Sequence, residues 1–151
     1  MGITFPIGAF MILDFSDIFD GAIEGPAELQ VHSASMAMAG DKPVMRVSYT
    51  ILEAKPQGAK EADVTGEFVN HTVWLPSAAD EPDKIRNKKK MLKAFLSVHG
   101  IDTSAELEIN DVPAALVNNN VVVKATLEQD DWALKNRDEL VTRVKRFYKA
   151  N

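Results

Sequence analysis

Two hydrophobic periods divide this chain. From Ala27, the positions Leu29, Val31 and Ser33 alternate with Gln30, His32 and Ala34, the pattern of a strand with one buried face. Gly40-Asp41-Lys42-Pro43 supplies turn residues. A second strand follows, with Met45, Val47, Tyr49 and Ile51 on one face and Arg46, Ser48 and Thr50 on the other. Lys55-Pro56-Gln57-Gly58 opens a polar loop to about Thr65. The third strand is expected over Glu67–Leu75 and stops at Pro76, which has no N–H to give a ladder. Phe68, Asn70, Thr72 and Trp74 share one of its faces; Val69, His71, Val73 and Leu75 share the other, which reads as the core side.

After Pro76 the period becomes three and four. Ser77 or Asp80 can cap a helix with Pro82 in its first turn and Glu81 and Asp83 at its positive dipole end. Its apolar residues are Ile85, Met91, Leu92, Phe95, Leu96 and Val98, and Gly100 closes it. A short turn is expected over Val112–Val117, then a β-branched strand over Val121–Glu128. The segment Gln129–Glu139 reads as a charged loop holding Trp132. Leu140–Lys149 is read as a fifth strand, although its spacing also allows a helix. Three strands, one helix and two strands is the element order of an OB-fold. The expected class is therefore mainly β, a five-stranded OB-fold-like Greek-key barrel with its helix between strands 3 and 4.

Before this barrel, residues 1–26 form a Phe-rich, acidic arm. Ile12, Phe15 and Phe19 make a short helical stripe, read as a turn packed on the barrel or a partner-docking arm. With 151 residues, one core is expected, here over residues 27–151. The 46% hydrophobic and 26% charged fractions are those of a globular chain. Cysteine is absent, which excludes disulfides and thiolate metal sites. The longest apolar run, Ile7–Leu13, is too short to span a bilayer, and no Lys or Arg precedes Lys42 to form a secretory leader. A cytoplasmic protein without membrane contact is expected.

The net charge of −5 conceals its distribution. Residues 1–41 carry six acids and no base, while residues 84–100 carry Lys84, Arg86, Lys88, Lys89, Lys90 and Lys93 and no acid. Arg143, Lys145, Arg146 and Lys149 form a second basic cluster. Such clusters can present a local positive field on an acidic protein.

Catalytic signatures are missing. There is no Walker or Rossmann glycine spacing, no nucleophile elbow, and His32, His71 and His99 stand in no ligand spacing. Neither an enzyme, a metal nor a cofactor is expected. A binding surface remains. Phe68 and Trp74 on a polar strand face have the composition of a base-stacking platform, or else pack beneath a loop or the arm. Lys88, Lys89 and Lys90 spread around a helix, so part of that run is solvated surface. In a strand, Arg143, Lys145 and Phe147 would share one face and Val144, Arg146 and Tyr148 the other. Cations and rings interleaved in this way suit phosphates and bases, or an edge strand kept soluble by charge. Trp132 either closes over a ligand or folds back onto the core.

Short motifs add a resemblance. Ile12-Leu13-Asp14-Phe15-Ser16-Asp17 precedes a Gly-Pro-Ala-Glu strand start, and Pro43-Val44-Met45-Arg46-Val47 runs into Ile51-Leu52-Glu53. Lys93-Ala94-Phe95-Leu96 ends at Gly100-Ile101, and Val144-Lys145-Arg146-Phe147 lies near the end. In these the chain resembles small phage-encoded single-stranded DNA-binding proteins of replication and recombination modules. The resemblance implies an OB-like fold and single-strand binding. It differs from bacterial single-stranded DNA-binding proteins, whose acidic tail recruits partners, in ending on Tyr148-Lys149-Ala150-Asn151.

The expectation is sequence-nonspecific single-stranded DNA binding. Tyr49, Phe68, Trp74, Trp132 and Tyr148 would stack on bases; Arg46, Lys88, Lys89, Lys90, Arg143, Lys145 and Arg146 would meet phosphates. A second copy and replication or recombination proteins are further candidate partners. The alternative is a β-barrel virion or assembly protein without nucleic-acid affinity.

Overall fold

The structure, a computed structural model, describes residues 12–13, 21–54 and 64–148. Five strands form one antiparallel sheet: β1 (Gly25–Ala39), β2 (Lys42–Ala54), β3 (Phe68–Trp74), β4 (Val122–Gln129) and β5 (Thr142–Tyr148). Their spatial order is β3-β2-β1-β4-β5. Three helices accompany them: α1 (Pro82–Val98), α2 (Val112–Asn118), entered through a 3₁₀ turn at Ile109–Asp111, and α3 (Asp131–Arg137).

The long first strand organises the sheet. It pairs with β2 from Ala27 to Ala39 and with β4 from Gly25 to Gln30. Register shifts at Glu28/Leu29 and Val31/Ser33 interrupt its ladder with β2, and an unpaired residue bends a strand and raises its twist. The sheet's two outer strands come together: the His71 ring on β3 lies 5.0 Å from that of Phe147 on β5.

Alternation fixes the core as the sequence implied. Leu29, Val31, Met45, Val47, Tyr49, Ile51, Val69, Val73, Val123, Ala125 and Leu127 are all buried. Phe95 and Leu96 of α1 and Val112 and Leu116 of α2 complete the cluster, joined by Ile23 ahead of β1. Ile12 is exposed; Phe15 and Phe19, and most of the polar loop after β2, lie outside the described residues.

Four expectations need correction. The residue before α1's first turn is Glu81, without a side-chain cap; Asp80 instead accepts from the Ser77 N–H at 3.0 Å and from two lysines. Met91 leaves the apolar stripe of α1 and is 72% exposed. The charged segment after β4 is a helix, because Asp130 caps it by accepting from the Ala133 N–H at 3.1 Å, with Lys135 and Arg137 in its last turn. In β5, Thr126 pairs with Arg146 and Leu127 with Val144, so Lys145 is a bulge residue. That extra residue flips the parity. Val144 and Phe147 both pack on the core, leaving Arg143, Arg146 and Tyr148 outward beside Glu128, Thr126 and Lys124 of β4.

Candidate nucleic-acid interface

The outward face of β1, β2 and β3 gathers part of the expected set. Phe68 stands opposite Thr50, Asn70 opposite Ser48, Thr72 opposite Arg46 and Trp74 opposite Val44. On its other side Arg46 faces Ser35 of β1, and Ser48 faces Ser33. Phe68 is 57% and Trp74 47% exposed, because their inward neighbours Val69 and Val73 already fill the core positions of β3. The His32 ring meets Phe68 edge-on at 4.9 Å, placed there by the register shift between Val31 and Ser33. Arg46 is exposed and has no ion pair among the described residues. The face is thus two rings, one unmatched guanidinium and a floor of hydroxyl and amide groups.

An open cleft of about 670 Å³ adjoins this face where β3 approaches β5. Phe68 and Asn70 line one side; Thr142, Arg143, Leu140 and Asp130 line the other. Arg143 does not offer a free charge there. Its guanidinium bonds Glu128 at 2.8–2.9 Å and lies 4.0 Å from Asp130.

One expected residue is contradicted outright, and a second has its charge already paired. Tyr49 has no exposed surface and cannot stack on a base. It occupies the inward parity of β2, donates to His99 Nε2 at 2.7 Å, and burial pushes its phenol pKa up. The alternation with Met45, Val47 and Ile51 already carried this signal. Lys88 is tied to Asp80 at 2.7 Å with its side chain 15% exposed, so its charge is already paired within the protein's own surface. Lys42 approaches the same carboxylate at 3.3 Å, and these bonds, led by that from Lys88, hold Asp80 down at about 2.

The remaining candidates lie elsewhere. Lys89 borders an apolar groove with Met36, Met38, Leu75, Leu92 and Ile109, and Lys90 is exposed on α1. Lys145 is exposed at its bulge. Arg146 sits over the Tyr148 ring at 5.3 Å, and the Tyr148 hydroxyl lies 3.4 Å from Thr126 Oγ1. Trp132 is 57% exposed on α3 under the Arg137 guanidinium, 4.9 Å away, and does not belong to the β1–β3 face. The sequence reading missed His32, Ser33 and Ser35 as members of the face, because β1's parity changes at an irregularity that alternation does not announce. The β3–β5 cleft needed the strand order itself.

Burial lowers His71 and His99 to about 4, and both rings pack on Phe95 and Phe147. Among the described residues, no three His, Asp or Glu side chains gather into a metal-binding group. No helix among them is long and apolar enough to cross a membrane. Neither the protein-family models nor the curated proteins compared with this sequence match it.

Proposed function

We propose that this chain is a sequence-nonspecific single-stranded DNA-binding protein of phage-type replication or recombination, acting in the cytoplasm without catalysis or cofactor. The fold reading beneath it is an OB-type Greek-key barrel. Its support is the strand order, the position of α1 between β3 and β4, where the shorter α2 also lies, and the approach of β3 to β5.

One observation carries the functional reading: Phe68 and Trp74 are both exposed on one face of β3, with Arg46 between them on the neighbouring strand. Six residue steps along the strand set their backbone positions roughly 20 Å apart. Each ring therefore serves a different base of an extended strand, while Arg46 meets the intervening phosphates. Every base has a π-face, so such a platform tolerates any sequence. Lys89, Lys90, Lys145 and Arg146 would add a diffuse positive field. Tyr49 and Lys88 have no part in it.

The test is a titration of tryptophan fluorescence with oligo-dT and with matched duplex at two salt concentrations. Single strand should quench far more than duplex, and affinity should fall steeply with salt through counterion release. Trp74→Phe should remove most of the quenching and Trp132→Phe little of it. A signal that stays flat at low salt would overturn the reading. Discrete oligomers without oligonucleotide affinity would favour a virion or assembly protein instead.

A further inference from the structure

The ring-bearing face of β3 does not stop at Phe68. That ring also borders the open cleft of about 670 Å³ where β3 approaches β5. The volume lies within the roughly 300–1,000 Å³ range of small-molecule sites. Three exposed apolar side chains converge on it: Phe68 at 57% on one wall, Leu140 at 59% and Val141 at 38% on the other. Apolar surface left bare on both walls suits a flat ring entering between them.

The polar groups of the cleft divide into engaged and free. On the β5 side, Thr142 Oγ1 accepts from the Ile23 N–H at 2.9 Å. Arg143, the cation lining the cleft, is held by Glu128 and lies 4.0 Å from Asp130, which itself accepts from the Ala133 N–H. The N–H groups of Gly66 and Glu67 are bound to the carbonyls of Ile51 and Val64. On the β3 side, the Glu67 carboxylate and the Asn70 carboxamide are exposed, and neither has a side-chain partner among the described residues.

These occupancies decide what the cleft can take. Its cation is already paired and its free charge is a carboxylate, so a phosphate is repelled. A carboxylate only accepts, so the occupant must bring N–H donors. A nucleobase supplies both a flat face and a donor edge. Thymine offers one ring N–H between two carbonyls. Guanine offers N1–H and its 2-amino group side by side, which match the two oxygens of a carboxylate as a bidentate pair.

We propose that the β3–β5 cleft takes one unstacked base of the bound strand and favours guanine there. Phe68 lies against its ring, and Glu67 accepts from N1–H and the 2-amino group. The proposal rests on the single-strand reading. The ring platform stays indifferent to sequence, and the preference concerns one position.

The experiment is a set of anisotropy titrations at one salt concentration. The probes are oligo-dT, the same oligomer with one central dG, and the same with one central deoxyinosine, which is the guanine nucleoside without its 2-amino group. The dG oligomer should bind at least about fivefold more tightly than oligo-dT, and deoxyinosine should lose most of that gain. Glu67→Gln should erase the difference between dG and deoxyinosine without weakening oligo-dT binding or lowering the thermal midpoint. Equal affinity for all three oligomers, with oligo-dT still bound, would overturn the cleft assignment and leave the ring platform standing. A dG gain that survives both deoxyinosine and Glu67→Gln would belong to purine stacking and overturn it as well. If no oligomer binds, both readings fall.

Discussion

The Tyr49 hydroxyl lies 2.7 Å from Nε2 of His99, joining β2 to the residue that ends α1. The other ring nitrogen, Nδ1, is 2.7 Å from the Phe95 carbonyl, which can only accept. Nδ1 therefore carries the hydrogen, and Nε2 accepts from Tyr49. Both side chains are buried among the rings of Phe95 and Phe147. Tyr49→Phe keeps the ring packing but leaves a buried imidazole nitrogen without its donor. It should cost about 1–3 kcal/mol in urea denaturation, with an unchanged denaturant slope.

The same cluster sets a pH dependence. Folded His99 and His71 titrate at about 4, below the ordinary value of 6.5, because burial disfavours the imidazolium. The unfolded chain binds these protons first as pH falls. Their contribution is therefore complete above about 6.5 and is lost as pH drops towards about 4. Urea midpoints should decline over that window, and His99→Gln should flatten part of the decline. A wild-type midpoint constant from pH 7 to 4.5 would contradict the assignment.

On the outward face the burden falls on the two exposed rings of β3. Trp74→Ala and Phe68→Ala should each weaken oligo-dT binding roughly 5- to 150-fold, the equivalent of about 1–3 kcal/mol per stacked base. Both side chains project away from the core, so thermal midpoints should change little. Anisotropy titrations beside thermal melts separate the two effects. Lost affinity that tracks lost stability would mean the rings support the fold instead.

Much of this architecture could be read from alternation, since period two on β1 to β4 is imposed by one buried face. Val69 and Val73 inside, with Phe68 and Trp74 outside, followed directly. What escaped was whatever breaks the period. The bulge at Lys145 moved Phe147 to the core and Arg146 outward, an event with no composition of its own. α3 is too short to show a helical repeat, and its capping Asp130 looks like any loop acid until the Ala133 N–H is seen on it. Charge was the least legible feature. Lys88, Lys89 and Lys90 are alike in sequence, yet only Lys88 meets Asp80, a pairing set by the turn between β3 and α1.

That helix ends through backbone geometry, which gives a fourth expectation. Gly100 has φ of +77°, and the Ile101 N–H reaches back to the Leu96 carbonyl at 2.9 Å while Gly100 N–H bonds Ser97 at 3.1 Å. A β-carbon at Gly100 would meet no atom within 4 Å, so only the left-handed conformation opposes one. Gly100→Ala should therefore destabilise by about 1–2 kcal/mol. Gly100→Asn, which tolerates this region better, should cost less. Equal midpoints for wild type and Gly100→Ala would show that the termination is not strained.

The two cations Arg46 and Lys88 should behave oppositely. Arg46 is exposed on the ring-bearing face without an ion pair among the described residues, so Arg46→Ala should lower the slope of log affinity against log salt by about one and leave the melt unchanged. Lys88 is the nearest partner of Asp80, whose side chain is shielded from solvent and also holds Lys42 and the Ser77 N–H. Lys88→Met removes that partner, so it should lower the thermal midpoint while the salt slope stays at the wild-type value. The destabilisation should shrink at acid pH. Asp80, depressed to about 2, owes its shift chiefly to Lys88, and its contribution is present above the ordinary carboxylate pKa and lost as pH falls through the folded value. Melts and salt titrations of both variants check this. A changed salt slope for Lys88→Met with an intact melt would place that lysine back among the phosphate contacts.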